Sequence, residues 1–298
     1  MPTRVTQGMM HSQMIRSLNR NFERMSGLQE QLTTGRKINR PSDDPVGITY
    51  ALRYRSELSM NEQYQRNITE ATSSVDHLDT VLDQVNDLFK RAKELTVQGI
   101  SDTSPAEARK AISQEMDGIY RQLVTLGNDQ VNGKFIFNGQ MTTTSPYDLA
   151  TAGTIDTDDA GIILPLAPGV EIATNVTGNA VFGTSSDADN LFKIVKQIRD
   201  AMDTNDPNTA RTAMGLLDQR LNKFLGVRAE VGARANRIEL LDNRNQALSD
   251  TLNGLSGKTE DADIAETIMN LKRDENVYQA SLSTGARIIQ PSLVDFLR

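Results

Sequence analysis

The chain contains no cysteine, and that one absence removes disulfides, thiolate metal sites, iron-sulfur clusters and cysteine nucleophiles together. It leaves the compartment open, because a secreted chain that needs no staple also does without cysteine. Only two histidines occur, His11 and His77; neither has a metal-ligand spacing, so each reads as a solvated helix-surface residue. Tryptophan is missing and aromatics make up 5% of residues, so material for a thick core is scarce and slender helical packing is favoured. No stretch reaches the ~20 apolar residues a membrane span requires. The opening MPTRVTQGMMHSQMIR lacks the apolar run of a secretory signal, which fits a cytoplasmic protein or one exported without a cleaved signal.

Enzyme motifs are missing as well: there is no Walker loop, no G-x-S-x-G and no dinucleotide fingerprint. Asp43 and Asp44 are adjacent, with no nucleophile or histidine near them, and suit helix capping better than acid-base work. Asp156-Thr157-Asp158-Asp159-Ala160-Gly161 starts like a calcium loop, but Ala160 and Ala167 stand where ligands belong. No metal or cofactor is expected. With 32 basic against 39 acidic residues, no basic face points to nucleic acid, and the terminal stripes lack the polybasic face of a membrane-lying helix.

What is present is helical periodicity at both ends of 298 residues. Ile15, Leu18, Phe22, Met25, Leu28 and Leu32 recur at three or four and form one stripe, which Gly35 stops. A second helix starts near Pro45, capped by Asp43 or Asp44. Tyr64, Ile68, Ala71, Val75, Leu78, Leu82, Val85, Phe89 and Ala92 then alternate steps of four and three, a coiled-coil seam. If helical to about Gln98, this element is roughly 80 Å long. Ser104-Pro105-Ala106-Glu107 reads as a capping box opening a third helix that ends at Gly127-Asn128.

Residues 141–190 carry seven acids and no Lys or Arg, whereas residues 1–60 carry nine bases and five acids. The runs Phe135-Ile136-Phe137, Ile162-Ile163-Leu164 and Val170 to Thr174 predict short strands here. Helix returns at Leu191, breaks at Asp206-Pro207, and runs on through Met214, Leu217, Leu221, Phe224, Val231, Ala235 and Ile238, with Leu241, Leu248, Leu252 and Leu255 after a phase shift. A last stripe holds Ile264, Ile268, Leu271, Tyr278, Leu282, Ile289, Leu293 and Phe296. The expected fold is mainly α with a β insert, an elongated rod of long antiparallel helices. Its expected divisions are 1–44, an N-terminal assembly helix and loop; 45–133, helical rod; 134–190, an acidic β-rich insert; 191–263, helical rod; and 264–298, a C-terminal assembly helix. The long seams can form a core within one chain. The terminal stripes, with only each other to pack on, are expected to order when neighbouring molecules cover them. Assembly contacts are therefore expected at Ile15, Leu18, Phe22, Met25 and Leu32, and at Ile268, Leu271, Tyr278, Leu282, Ile289, Leu293 and Phe296.

The stretch LTTGRKINRPSDDPVG (32–47) resembles the segment after the first helix of the bacterial flagellin family, and EDADIAETIMNLKRDENVYQASL (260–282) resembles its C-terminal counterpart. NGKFIFNGQMTTTSPYD (132–148) is similar to the segment after the third helix in the family's hook-filament junction members. The prolines of RPSDDPVG stand where filament subunits more usually carry an alanine-rich version. The ending LVDFLR is flagellin-like and keeps a filament subunit with a reduced outer domain as the alternative; a secreted adhesin or enzyme on a coiled-coil stalk is the competing class. The resemblance implies a non-enzymatic flagellar protein, exported through the type III apparatus and bound beforehand by a chaperone at its C-terminal helix. It implies assembly as a ring of copies beside a neighbouring hook-associated protein and flagellin. In the loop, Gly35 then ends the helix, Pro41 and Pro45 stiffen the crossing, Asp43 or Asp44 caps, and Arg36, Lys37 and Arg40 are available to acidic groups of an adjacent subunit, with pairing inside the chain compatible.

Overall fold

Proline and aspartate decide where the long helices begin. The computed structural model describes residues 7–102 and 104–289, with side chains over 8–102 and 104–286. Helix α1 (Gln7–Thr34) stops at Gly35, whose φ of 70° lets its N–H reach the Gln31 carbonyl at 2.8 Å. Helix α2 (Pro45–Ile100) starts with proline at its first position, where no N–H is needed. Asp44 is its cap: Oδ1 accepts the N–H groups of Val46 and Gly47 at 3.0 and 2.9 Å.

Helix α3 (Ala106–Gly127) corrects one expectation. Pro105, not Ser104, takes the cap position and has no side-chain cap bond, so the capping box does not form; the Pro105 carbonyl opens the helix by accepting the Arg109 N–H at 3.1 Å. A break at Thr204 to Asp206 separates α5 (Leu191–Asp203) from α6 (Pro207–Glu260), and Asp206 caps α6 through the N–H groups of Asn208 and Thr209. Helix α7 (Ile264–Ile289) follows Asp263, whose carboxylate accepts the Glu266 N–H.

The chain divides into two compact units, one of Met1–Met60 with Leu248–Arg298 and one of Asn61–Ala247. In the second, the α2 seam from Ile68 to Ala92 is buried along its length, and α6 supplies Leu217, Phe224, Val231 and Ile238. Phe89 meets Phe224 at 5.1 Å between ring centroids. Helix α3 packs on α5, which buries Leu191, Phe192, Ile194, Val195 and Ile198.

The insert carries its β structure as two hairpins. Strands β1 (Gln130–Val131) and β2 (Lys134–Phe135) join through Asn132-Gly133, both with positive φ as a tight hairpin turn demands; β1 was not foreseen. Strands β3 (Ile163–Ala167) and β4 (Val170–Ala173) pair Ile163 with Ala173 and Leu164 with Ile172. A short helix α4 (Gly178–Phe182) follows, and its last residue centres an aromatic cluster in which Phe182 lies 5.4 Å from Phe137, 5.5 Å from Tyr147 and 5.0 Å from Phe192 of α5. The acids serve backbone and buried cations. Asp158 accepts the Gln140 N–H and Asp156 the Ser185 hydroxyl, each at 2.8 Å. Asp189 and Asp187 hold the buried Arg220 guanidinium at 2.8 and 3.1 Å. His77, expected to be merely solvated, bonds Asp129 at 2.6 Å.

Because Phe224 is fully buried, Phe224→Ala is expected to destabilise the second unit by about 3–5 kcal/mol. Chemical denaturation checks it, and a loss below about 1 kcal/mol would contradict this account of the core.

Candidate assembly surface

The first unit cannot hide its apolar side chains. Among the described residues, forty-two apolar side chains are buried, and only four of them, Ile38, Ala51, Leu252 and Leu271, lie in this unit. Of twenty-one large apolar side chains left exposed, fifteen lie there. Single exposed apolar residues are ordinary, but such a concentration on one part of a molecule singles out a candidate contact surface.

The exposed set is distributed over the elements the sequence singled out. Helices α1 and α7 pack on each other. Their contacts bring Phe22 within 6.5 Å of Tyr278 and Arg24 within 3.3 Å of the buried Asp274 carboxylate, while Arg24 also donates to the buried Asn21. Leu271 is buried, and Leu18, Met25, Leu32 and Tyr278 are half-buried. Ile15, Phe22, Ile268 and Leu282 are exposed, Phe22 at 60%. The pair thus buries one part of each stripe and leaves the rest outside. Ile289 closes α7 with its side chain outside the described residues, and Leu293 and Phe296 lie outside the described residues altogether.

Residues 35–44 are anchored at both edges. The Lys37 N–H donates to the Glu260 carbonyl at 2.6 Å, and Ala262 N–H to the Gly35 carbonyl at 3.0 Å. The Glu260 carboxylate, 3% exposed, accepts two bonds from Arg55 and stands 3.7 Å from Arg36. A carboxylate so enclosed needs these cations, since desolvation otherwise disfavours its charged form. Asp43 Oδ2 accepts the N–H groups of Arg40 and Asn39 at 2.8 and 3.1 Å, closing the loop on itself. Those two N–H groups, Arg40 first, hold its carboxyl below the usual range. Ile38 turns inward, and Gly47 leaves room for it and for the capping Asp44: a Cβ there would crowd the Asp44 carboxylate and meet Ile38 Cδ1 at 2.6 Å.

Of the loop cations, Arg40 pairs within the chain with Glu30 at 3.0 Å, an exposed pair weak enough to be exchanged for other partners, whereas Arg36 faces the enclosed Glu260. Lys37 has no ionic partner among the described residues, and Pro41 and Pro45 are exposed. Sequence reading missed Glu260 and Arg55, whose pairing spans 205 positions and leaves no local trace. Ile38, the one large aliphatic residue between Leu32 and Val46, was a signal that went unused.

The N-terminal residues 5–142 match the bacterial flagellin N-terminal helical region, and residues 214–297 match the bacterial flagellin C-terminal helical region. Together these cover about three quarters of the chain. Flagellar hook-associated protein 3 of Salmonella typhimurium is 28% identical over 305 residues, covering 94% of this chain and 95% of the relative. The protein of that name in Escherichia coli is 29% identical over 297 residues, covering 92% and 93%. The crystal structure of Bacillus cereus FlgL superposes with a TM-score of 0.58 at 25% identity, covering 67% of this chain and 99% of that one.

Asp43 generates a pH prediction. Its folded value is lowered, so loop closure is complete above the ordinary carboxylate range and is lost as pH falls through the lowered value. In an NMR titration the Arg40 and Asn39 amide shifts should move together with a midpoint below about 3.9. A midpoint at or above that value would contradict the assignment.

Proposed function

The chain belongs to the bacterial flagellin family, and on that premise we propose that it is the structural subunit placed between hook and filament, assembling through its first unit. The single observation that carries the reading is the excess of uncovered apolar side chains on α1, the start of α2 and α7. Copies arranged in a ring cover these stripes for one another, so that folding of residues 1–44 and 264–298 and association proceed together. The terminal stripes, Ile289, Leu293 and Phe296 with them, are the assembly contacts, and the loop cations Arg36, Lys37 and Arg40 meet acidic groups of an adjacent copy. Segments 45–133 and 191–263 form the helical body that carries the acidic insert 134–190.

A neighbouring hook-associated protein on one side and flagellin on the other complete the set of partners, and before export a chaperone covers the C-terminal helix. Export runs through the flagellar type III apparatus without a cleaved signal. The chain acts by occupying a place and needs no catalytic residue, cofactor or metal to do so. The two relatives named hook-associated protein 3, matched across more than nine tenths of this chain, support this placement over that of a filament subunit.

Deleting the gene tests the placement: intact hooks with flagellin free in the medium are expected, whereas loss of flagellin itself would point to a filament subunit. For the surface, the double variant Phe22→Asp with Leu282→Asp should change the melting of the isolated chain by less than about 1 kcal/mol, since both side chains are exposed, and should fail to restore filaments. Restored filaments, or a large melting loss of the isolated chain, would overturn the assignment.

A further inference from the structure

Within the second unit the apolar seams of α2 and α6 each carry an asparagine at facing positions. Asn61 stands three residues before Tyr64, on the same three-four alternation that continues through Ile68 and Ala71, and Asn245 stands four residues beyond Leu241. Both are buried, at 5% and 8% exposure. Their side chains cross reciprocally: Asn61 Nδ2 donates to the Asn245 main-chain carbonyl at 3.0 Å, and Asn245 Nδ2 donates to the Asn61 main-chain carbonyl at 3.2 Å. Asn245 Nδ2 also reaches Gln65 Oε1 at 2.7 Å, and Gln65 Nε2 reaches Asp242 Oδ1 at 2.5 Å. Asn61 Oδ1 is buried without a partner. Two arginines also stand on or beside the α6 seam: Arg220 is buried and held by Asp189 and Asp187 of the insert, and Arg228 keeps its charge at the rim, where it meets Asp83 at 2.8 Å and Asp79 at 3.5 Å.

We infer that the Asn61–Asn245 layer is a register key, which selects one heptad alignment of α2 against α6 at a cost in stability. The seams alone specify register poorly. Ile68, Val75, Leu82 and Phe89 succeed one another at intervals of seven, so a slide of one heptad replaces apolar contacts by apolar contacts. The asparagines do not tolerate that slide: one direction sets Asn61 against Ile238, the other sets Asn245 against Ile68, and either breaks the reciprocal pair and takes Asn245 Nδ2 away from Gln65 Oε1.

The test uses the full chain, whose lack of cysteine permits clean labelling. Nitroxides at Asp87→Cys and Arg237→Cys, both exposed positions of the second unit, report the axial alignment of α2 and α6 by pulsed dipolar spectroscopy. The parent is expected to show one narrow distance. Asn61→Leu with Asn245→Leu is expected to melt no lower than the parent and to add a second distance, from a slide of roughly 10 Å at 1.5 Å per residue. One unchanged distance in the double variant would overturn the inference. So would a lowered melting temperature or failure to fold, either of which would make the layer a source of stability, not of register.

Discussion

Apolar side chains need cover, and in this chain the cover is unevenly supplied. One unit, built from the seams of α2 and α6 with α3, α5 and the insert, buries most of the large apolar groups it owns. The other, among the described residues, has four buried apolar residues and leaves Met9, Ile15, Phe22, Val46, Tyr50, Ile268, Met269 and Leu282 facing out. Net stability is a small difference between burial and conformational entropy. A helix pair that buries only part of each stripe therefore lies near balance, and any neighbour that covers the remainder adds directly to the favourable side.

Directional interactions hold the first unit in a shape that can be covered. Glu260 gathers Arg55 and Arg36, Asp274 gathers Arg24, and Asp43 and Asp44 arrange the backbone between α1 and α2. These bonds add little apolar burial. They fix where Ile38 turns inward and where Lys37 and Pro41 face outward, which makes the loop a preformed feature available to a partner.

The sequence made the helices legible because a three-four alternation sustained from Tyr64 to Ala92 has no other economical reading, and Gly35, Asp44 and Pro45 punctuate it by backbone chemistry alone. The mainly helical class with a β insert and the kinship carried by LTTGRKINRPSDDPVG were readable for the same reason: local residues set local geometry. What escaped depends on distant partners. Glu260 meets Arg55 across 205 positions, and Asp129 turns His77 from a solvated residue into a bonded one. Asn61 and Asn245 were passed over because a search for apolar periodicity skips the polar residues that give a seam its register. Ser104 was assigned a cap that Pro105 occupies, an error of a single residue. The strands of the second hairpin were signalled by the runs Ile162 to Leu164 and Val170 to Thr174, but β1 of the first left no such run, and the bonds of Asp156, Asp158 and Asp189 that order the insert's loops follow from tertiary placement and leave no pattern in the text.

The central claim is that the first unit finds its full burial on other molecules. Amide hydrogen exchange, followed by segment in the isolated chain and again in the assembled state, tests it most directly. The account predicts fast exchange in α1 and α7 of the isolated chain beside strong protection of α2 and α6 residues in the second unit, with α1 and α7 becoming protected on assembly. Equal protection of α1 and α7 before and after assembly would contradict it.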